Sequence, residues 1–172
     1  MNNPRILLKT ELGNILLELY QAQAPITVAN FLRYVDENRF ADACFYRVVH
    51  MDNQPNNGIK IEVIQGGLKI EDHPHTLPAI AHESTQKTGI LHYDGTISMA
   101  RNEPGTASSE FFICINDQPE LNYGGRRNPD GQGFAAFGKV VEGIDIVRKI
   151  QSQPVEGQYL IAEIRINATR RP

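Results

Sequence analysis

Arg47 closes the triplet Phe45-Tyr46-Arg47 inside the apolar run Cys44–Val49, where an unpaired charge is costly. A guanidinium stays charged at ordinary pH and offers a planar fork of donors, so it can hold a carbonyl oxygen and stabilise developing charge. Gln65, just before Gly66-Gly67, adds a neutral amide, and Phe111-Phe112 sends one ring to each face of a strand. Other reactive groups form no readable site. Ser108 and Ser109 have no His and Asp at triad spacing, and Cys44 and Cys114, far apart in apolar surroundings, read as buried reduced thiols. Asp72, His73, His75 and His82 suggest a metal, but a proline-containing loop seldom converges the three or four ligands required, and no metal is expected. Gly66-Gly67 and Gly124-Gly125 lack the strand and helix that frame a phosphate loop. For Arg47 itself the plain alternative is a wall residue whose head reaches solvent or a glutamate.

The elements that must position these groups are mostly strands. Arg5–Glu11 and Asn14–Tyr20 are β-type runs split by Leu12-Gly13, a hairpin signal. Cys44–Val49, Ile61–Gln65, Thr96–Ala100, Phe111–Ile115, Ala135–Val140 and Leu160–Asn167 follow, separated by Gly, Pro, Asn and Asp clusters. Two helices are expected. Ile26–Asn38 follows Pro25 and repeats apolar residues at Val28, Phe31, Leu32 and Val35, and Ile144–Gln151 repeats them at Ile144, Val147 and Ile150. Eight strands and two helices predict a mostly β domain, a closed eight-stranded antiparallel barrel capped by two α-helices, since closure removes exposed edges.

The chain has 172 residues, with 17 Lys+Arg against 20 Asp+Glu and a formal net charge of −3. One domain over residues 1–172 is expected, long enough to bury about two-thirds of its unfolded surface. The acidic balance argues against nucleic acid or anionic membrane as partner, because both need clustered Lys and Arg. No apolar run approaches a membrane span. Met1–Glu11 carries no secretory core, so the expected compartment is the cytoplasm, or the periplasm for a chain whose leader was removed.

Five blocks stand in order: Phe45-Tyr46-Arg47-Val48-Val49, Ile64-Gln65-Gly66-Gly67, Thr96-Ile97-Ser98-Met99-Ala100-Arg101, Ser109-Glu110-Phe111-Phe112-Ile113 and Phe137-Gly138-Lys139-Val140. In them the chain resembles a bacterial-type cyclophilin, a peptidyl-prolyl cis-trans isomerase, from the first hairpin to the last strand. The resemblance implies a reaction that breaks no bond. An X-Pro bond is held planar by resonance behind a barrier of ~18–20 kcal/mol. As it twists, the prolyl nitrogen regains a lone pair, and a fixed cation nearby stabilises the twisted state more than the planar one. Five decades of acceleration ask for about 7 kcal/mol.

The implied catalytic residues are Arg47, Gln65 to orient it and the substrate carbonyl, and Phe112 as floor of the proline pocket. Val63 and Leu121 complete that pocket, and Ala100, Arg101, Asn102, Glu110 and Phe134 line the groove, the backbone there being able to pair with an extended peptide. No cofactor is implied. The partners are proline-containing peptides and unfolded or flexible segments, taken up by a monomer. A binding-only scaffold on the same barrel is the alternative function.

The chain departs from the family pattern in ways that bear on this. About ten extra residues, His50 to Lys60, separate Arg47 from Gln65. Counting back from Gln65 puts the family's pocket Phe and Met on Glu62 and Val63. Glu110 replaces a glutamine and could pair with Arg47. Glu120 stands where many members carry Trp, and Phe134 where His or Tyr is common. Glu62, Glu110 and Glu120 together predict a more acidic groove. The long loop Gly124–Gly133 reads as solvated, although Arg126 and Arg127 could favour acidic peptide flanks.

Overall fold

Strands β1 (Arg5–Thr10) and β2 (Gly13–Leu19) pair antiparallel across a tight turn at Glu11-Leu12 in the computed structural model, which describes residues 2–172. Helix α1 (Pro25–Asp36) follows, with Pro25 at its start, where a missing N–H loses nothing. Its N-cap is Ala24, which has no side chain to satisfy the first amides. Glu83 does so from elsewhere in the chain, accepting from the N–H of Ile26 (3.3 Å), the N–H of Thr27 (2.7 Å) and the Thr27 hydroxyl (2.6 Å).

The remaining elements are β3 (Cys44–Val49), β4 (Val63–Gly67), the short α2 (Thr85–Thr88), β5 (Thr96–Met99), β6 (Phe111–Cys114), a 3-10 turn at Pro119–Leu121, β7 (Ala135–Glu142), α3 (Ile144–Gln151), β8 (Val155–Glu156), β9 (Tyr159–Arg165) and β10 (Asn167–Arg171). All strand pairs are antiparallel, in the order β10-β1-β2-β7-β5-β6-β4-β3-β9-β8. Gly143 starts α3 at φ +95°, and a Cβ there would lie 2.3 Å from the Asn14 carbonyl oxygen, so the helix enters flush against β2.

Ten strand segments therefore replace the eight expected, and three α-helices the two. The additional helix is four residues, below what apolar periodicity can register. The additional strands are the two-residue β8 and a division of the last run at Ile166. That division carries the architecture: β9 pairs with β3 and β10 with β1, so one nearly continuous segment spans both ends of the ladder. Counted as one strand, β9 and β10 bring the number to eight without the two-residue β8, and this segment joins the two ends of the ladder.

The larger core packs α1 on the sheet through an aromatic cluster, Phe31 meeting Phe40, Phe111 and Phe137 with ring centroids 5.3, 5.5 and 5.4 Å away. A second, smaller apolar cluster holds Val49, Ile61, Val63, Phe112, Cys114 and Leu121. Phe111 thus belongs to the first and Phe112 to the second. No helix among the described residues is long and apolar enough to cross a membrane.

Candidate functional site

The smaller cluster floors a cavity of about 610 Å³. Nine of the ten residues singled out in the sequence line it: Arg47, Gln65, Phe112, Val63, Ala100, Arg101, Asn102, Leu121 and Phe134. Glu110 lines the adjoining cavity, which shares Gln65, Lys69, Ala100, Arg101 and Asn102 with the first.

Strand irregularity brings two successive residues of β3 into the cavity wall. Phe45 pairs with Gly66 and Arg47 with Gln65, so Tyr46 is the extra residue of a β-bulge. A regular strand would send Tyr46 and Arg47 to opposite faces; with the bulge, both line the cavity.

Arg47 is held at two points by neutral oxygens. Its Nη1 donates to Gln65 Oε1 (2.7 Å), and its Nε (3.0 Å) and Nη2 (2.6 Å) donate to Gln158 Oε1. Burial draws its pKa below the ordinary arginine value. The expected pairing with Glu110 does not occur. Glu110 Oε1 accepts from the Tyr46 hydroxyl (2.6 Å) and the Lys69 N–H (2.9 Å), and Oε2 from the Leu68 N–H (2.9 Å) and the Ser109 hydroxyl (2.7 Å). Tyr46 oxygen in turn accepts from Gln65 Nε2 (2.9 Å). Glu110, Tyr46, Gln65 and Arg47 form one directed chain of hydrogen bonds, and an ionised carboxylate at its end accepts only, which fixes the sense of every bond. Burial, then the Glu110 charge, pushes the Tyr46 hydroxyl pKa up.

The acidic groove is a second expectation the structure overturns. Glu62 accepts from Asn116 Nδ2 (3.2 Å) and Gln151 Nε2 (3.0 Å) and does not line the cavity. Ile61 lines it instead, together with Val63 and Gln65, all on one face at the two-residue strand period. Glu120 pairs with Arg126 on the exposed loop. The lining contains Arg47, Lys69, Arg101 and Arg127 and no carboxylate.

The floor is fixed from behind. Phe112 stacks on His92 (centroids 6.0 Å, 12° between planes) and meets Phe134 edge-on (5.4 Å, 89°). His92 is buried, with Nδ1 at Asn122 Oδ1 and Nε2 at Ser98 Oγ, both 2.8 Å, and burial holds its pKa down to about 4. Arg101 is committed elsewhere: its guanidinium lies 4.9 Å over the Phe134 ring, pairs with both oxygens of Asp130 (2.9 and 3.0 Å) and donates to the carbonyls of Gly133 and Asn102. The Asn102 N–H donates to Thr106 Oγ1 (3.0 Å).

The His50–Lys60 insertion supports two arginines. Buried Gln54 ties it together, donating to the carbonyls of His50 and Ile61 (both 2.8 Å) and accepting from the Ile61 N–H (3.1 Å) and Arg127 Nη1 (2.9 Å). The neighbouring Asn53 carbonyl accepts from Gln158 Nε2 (3.1 Å), the amide whose oxygen grips Arg47. Sequence reading missed Gln158, Lys69, Tyr46 and Tyr159 on the cavity wall. For Gln158, a polar residue after a turn glycine, the sequence holds no signal.

Away from the groove, His73 and His75 meet Asp42, not Asp72 or His82, with ligand atoms within 4.8 Å of one another. His73 Nδ1 accepts from the His75 N–H (3.0 Å), so Nε2 carries the proton and donates to Asp42 Oδ2 (3.0 Å).

A family model described as cyclophilin type peptidyl-prolyl cis-trans isomerase/CLD matches residues 5–171. A peptidyl-prolyl cis-trans isomerase of Acinetobacter baylyi is 36% identical over 153 residues, covering 88% of this chain and 74% of its own. One from Streptomyces antibioticus is 38% identical over 147 residues (84% and 81% of the two chains), and isomerase B of Escherichia coli 33% over 145 (83% and 80%). Among solved structures, a cyclophilin type peptidyl-prolyl cis-trans isomerase of Cryptosporidium parvum shares the fold at TM-score 0.76 and 21% identity, covering 99% of this chain and 98% of that one. The same Cryptosporidium protein has also been solved in the presence of the dipeptide Ala-Pro, with TM-score 0.76, 22% identity, and 98% and 99% of the chains covered.

Proposed function

This chain belongs to the cyclophilin family and is a peptidyl-prolyl cis-trans isomerase, and from that premise we propose how its own residues carry the reaction. The proline ring of the substrate rests on Phe112 between Val63 and Leu121, with Ile61 closing the side assigned from sequence to Glu62. Arg47 acts on the amide. Three of its five N–H donors are engaged by Gln65 and Gln158, leaving two for a peptide carbonyl and for the prolyl nitrogen as its lone pair emerges. Gln65, fixed by Tyr46, keeps the guanidinium aimed. Because the reaction only redistributes electron density within one amide, it needs no proton transfer and no bound cofactor.

One observation carries this reading: Arg47, partly buried at the cavity wall, is held by two neutral amide oxygens and, among the described residues, by no carboxylate. A carboxylate would cancel the charge that must favour the twisted state; neutral acceptors fix the group and leave its field intact. The alternative of a binding-only scaffold rested on Glu62, Val63 and Glu110. Two of these lie outside the principal cavity, and Val63 is an apolar part of its floor. The ligand is a proline-containing peptide, and Ala-Pro beside a protein of the same fold agrees with that.

Exchange NMR on an X-Pro peptide tests the assignment. Wild type should catalyse, and Arg47→Ala should lose roughly 10²-fold in kcat/KM, as for removal of one aimed donor. Equal rates in the two proteins would remove Arg47 from the mechanism.

A further inference from the structure

Of the four cations on the cavity wall, two are neutralised in place: Lys69 pairs with Glu163 (2.6 Å) and Arg101 with Asp130 (2.9 Å). Arg47 and Arg127 have no such partner among the described residues. Arg127 is partly buried and held by neutral oxygens only, its Nη1 donating to Gln54 Oε1 (2.9 Å) and to the Ile59 carbonyl (2.6 Å). Both acceptors belong to the His50–Lys60 insertion. That loop therefore commits the buried Gln54 amide and the Ile59 carbonyl to holding a second guanidinium at a wall that already carries one. The two are near enough for the Arg47 charge, after burial, to draw the Arg127 pKa below the ordinary arginine value.

Two like charges held near each other, with no anion between them, repel, and the repulsion is relieved when an anion binds. Among the described residues, Nη2 and Nε of Arg127 have no hydrogen-bond partner, so a carboxylate can approach them. The contrast with the rest of the molecule is sharp, since the chain carries net charge −3 and long-range attraction would favour basic peptides. A preference for acidic ones has to come from the groove.

We propose that Arg127 is a specificity residue forming an anion-binding subsite beside Arg47, selecting substrates with an aspartate or glutamate next to the isomerising proline. This rests on the isomerase reading above and adds to it the class of substrate. The role differs from that of Arg47, which serves any proline; Arg127 touches only the flank.

The test uses matched peptides carrying Glu, Gln or Lys immediately before or after proline. Exchange NMR supplies kcat/KM without a coupling protease of its own charge preference, and titration in the same spectra supplies Kd. At low salt, wild type should favour Glu over Lys by about five- to tenfold at one of the two positions, fading as salt is raised. Arg127→Gln should bring the ratio near one, and Arg127→Lys should keep much of it. The ratio is the readout because loosening of the loop lowers all peptides alike and leaves it unmoved. Arg126→Gln, on the exposed neighbour paired with Glu120, should keep the wild-type ratio. The inference is overturned by a flat ratio in wild type, by a ratio that survives Arg127→Gln, or by equal losses in the Arg126 and Arg127 variants. Absence of turnover with the Kd ratio intact would instead overturn the catalytic reading and leave the subsite standing.

Discussion

One oxygen of Gln158 receives two N–H groups of Arg47, from Nε at 3.0 Å and Nη2 at 2.6 Å. Both donors of one edge of the guanidinium converge on a single neutral acceptor. It locks the guanidinium plane without neutralising it.

Two substitutions separate those effects. Gln158→Leu removes the grip, and kcat should fall about tenfold while KM changes less, as expected when an aimed donor loses its aim. Gln158→Glu keeps an oxygen for Arg47 and cancels the charge, while giving up the amide donor to the Asn53 carbonyl. Its kcat should fall further than that of Gln158→Leu, and a Gln158→Glu enzyme as fast as wild type would show that the uncompensated charge does not matter.

The chain from Glu110 through Tyr46 and Gln65 to Arg47 makes Glu110 a positioning residue. Glu110→Gln and Tyr46→Phe should each lower kcat/KM by about three- to tenfold. Because Tyr46→Phe breaks and Glu110→Gln weakens one directed path, the double variant should lose much less than the product, with a coupling of ~0.5–3 kcal/mol in the double-mutant cycle. Independent losses would mean that the two residues stabilise the groove separately.

His92 predicts a pH dependence of stability. Its pKa near 4 in the fold lies below the value near 6.5 of the unfolded chain. Between these limits the unfolded state binds the extra proton, so the stabilisation is complete above pH 6.5 and is lost as the pH falls toward 4, about 3 kcal/mol in all. Urea midpoints across that range should slope more steeply for wild type than for His92→Asn. Parallel slopes would contradict the burial of a neutral imidazole behind Phe112.

Gly67 gives a packing test. It adopts φ +144°, and a Cβ there would lie 2.2 Å from Glu110 Oε2. Gly67→Ala should destabilise the fold by about 2 kcal/mol or more and displace the Glu110 carboxylate. A crystal structure or thermal melt of the variant indistinguishable from wild type would show that the site is looser than these distances require.

The legible part of this site was carried by residues whose neighbours announce them. Arg47, Gln65 and Phe112 sit inside strands whose apolar alternation was plain, and β3 and α3 have the predicted limits. Ile61 is legible too, through its two-residue spacing from Val63 and Gln65; strand period and family register disagree at this position, and the structure follows the period. The bulge at Tyr46 and the grip of Gln158 were not legible. Each arises from pairing between segments far apart in the chain, Arg47 and Gln158 by 111 positions, and no local pattern encodes such a meeting. The acidic groove fails for a related reason: family register places Glu62, Glu110 and Glu120 near the groove but carries no information on the different partner each is committed to.

The junction of β9 and β10 at Ile166 has a consequence for synthesis. Until the segment Tyr159–Arg171 has left the ribosome, β1 and β3 each expose an unpaired row of backbone donors and acceptors, the kind of edge that recruits other chains. The sheet can be completed only by contacts between segments far apart in the chain, which places completion after synthesis of Tyr159–Arg171 and makes it slow. A proline isomerase of this topology is most prone to aggregate while it is itself a nascent chain.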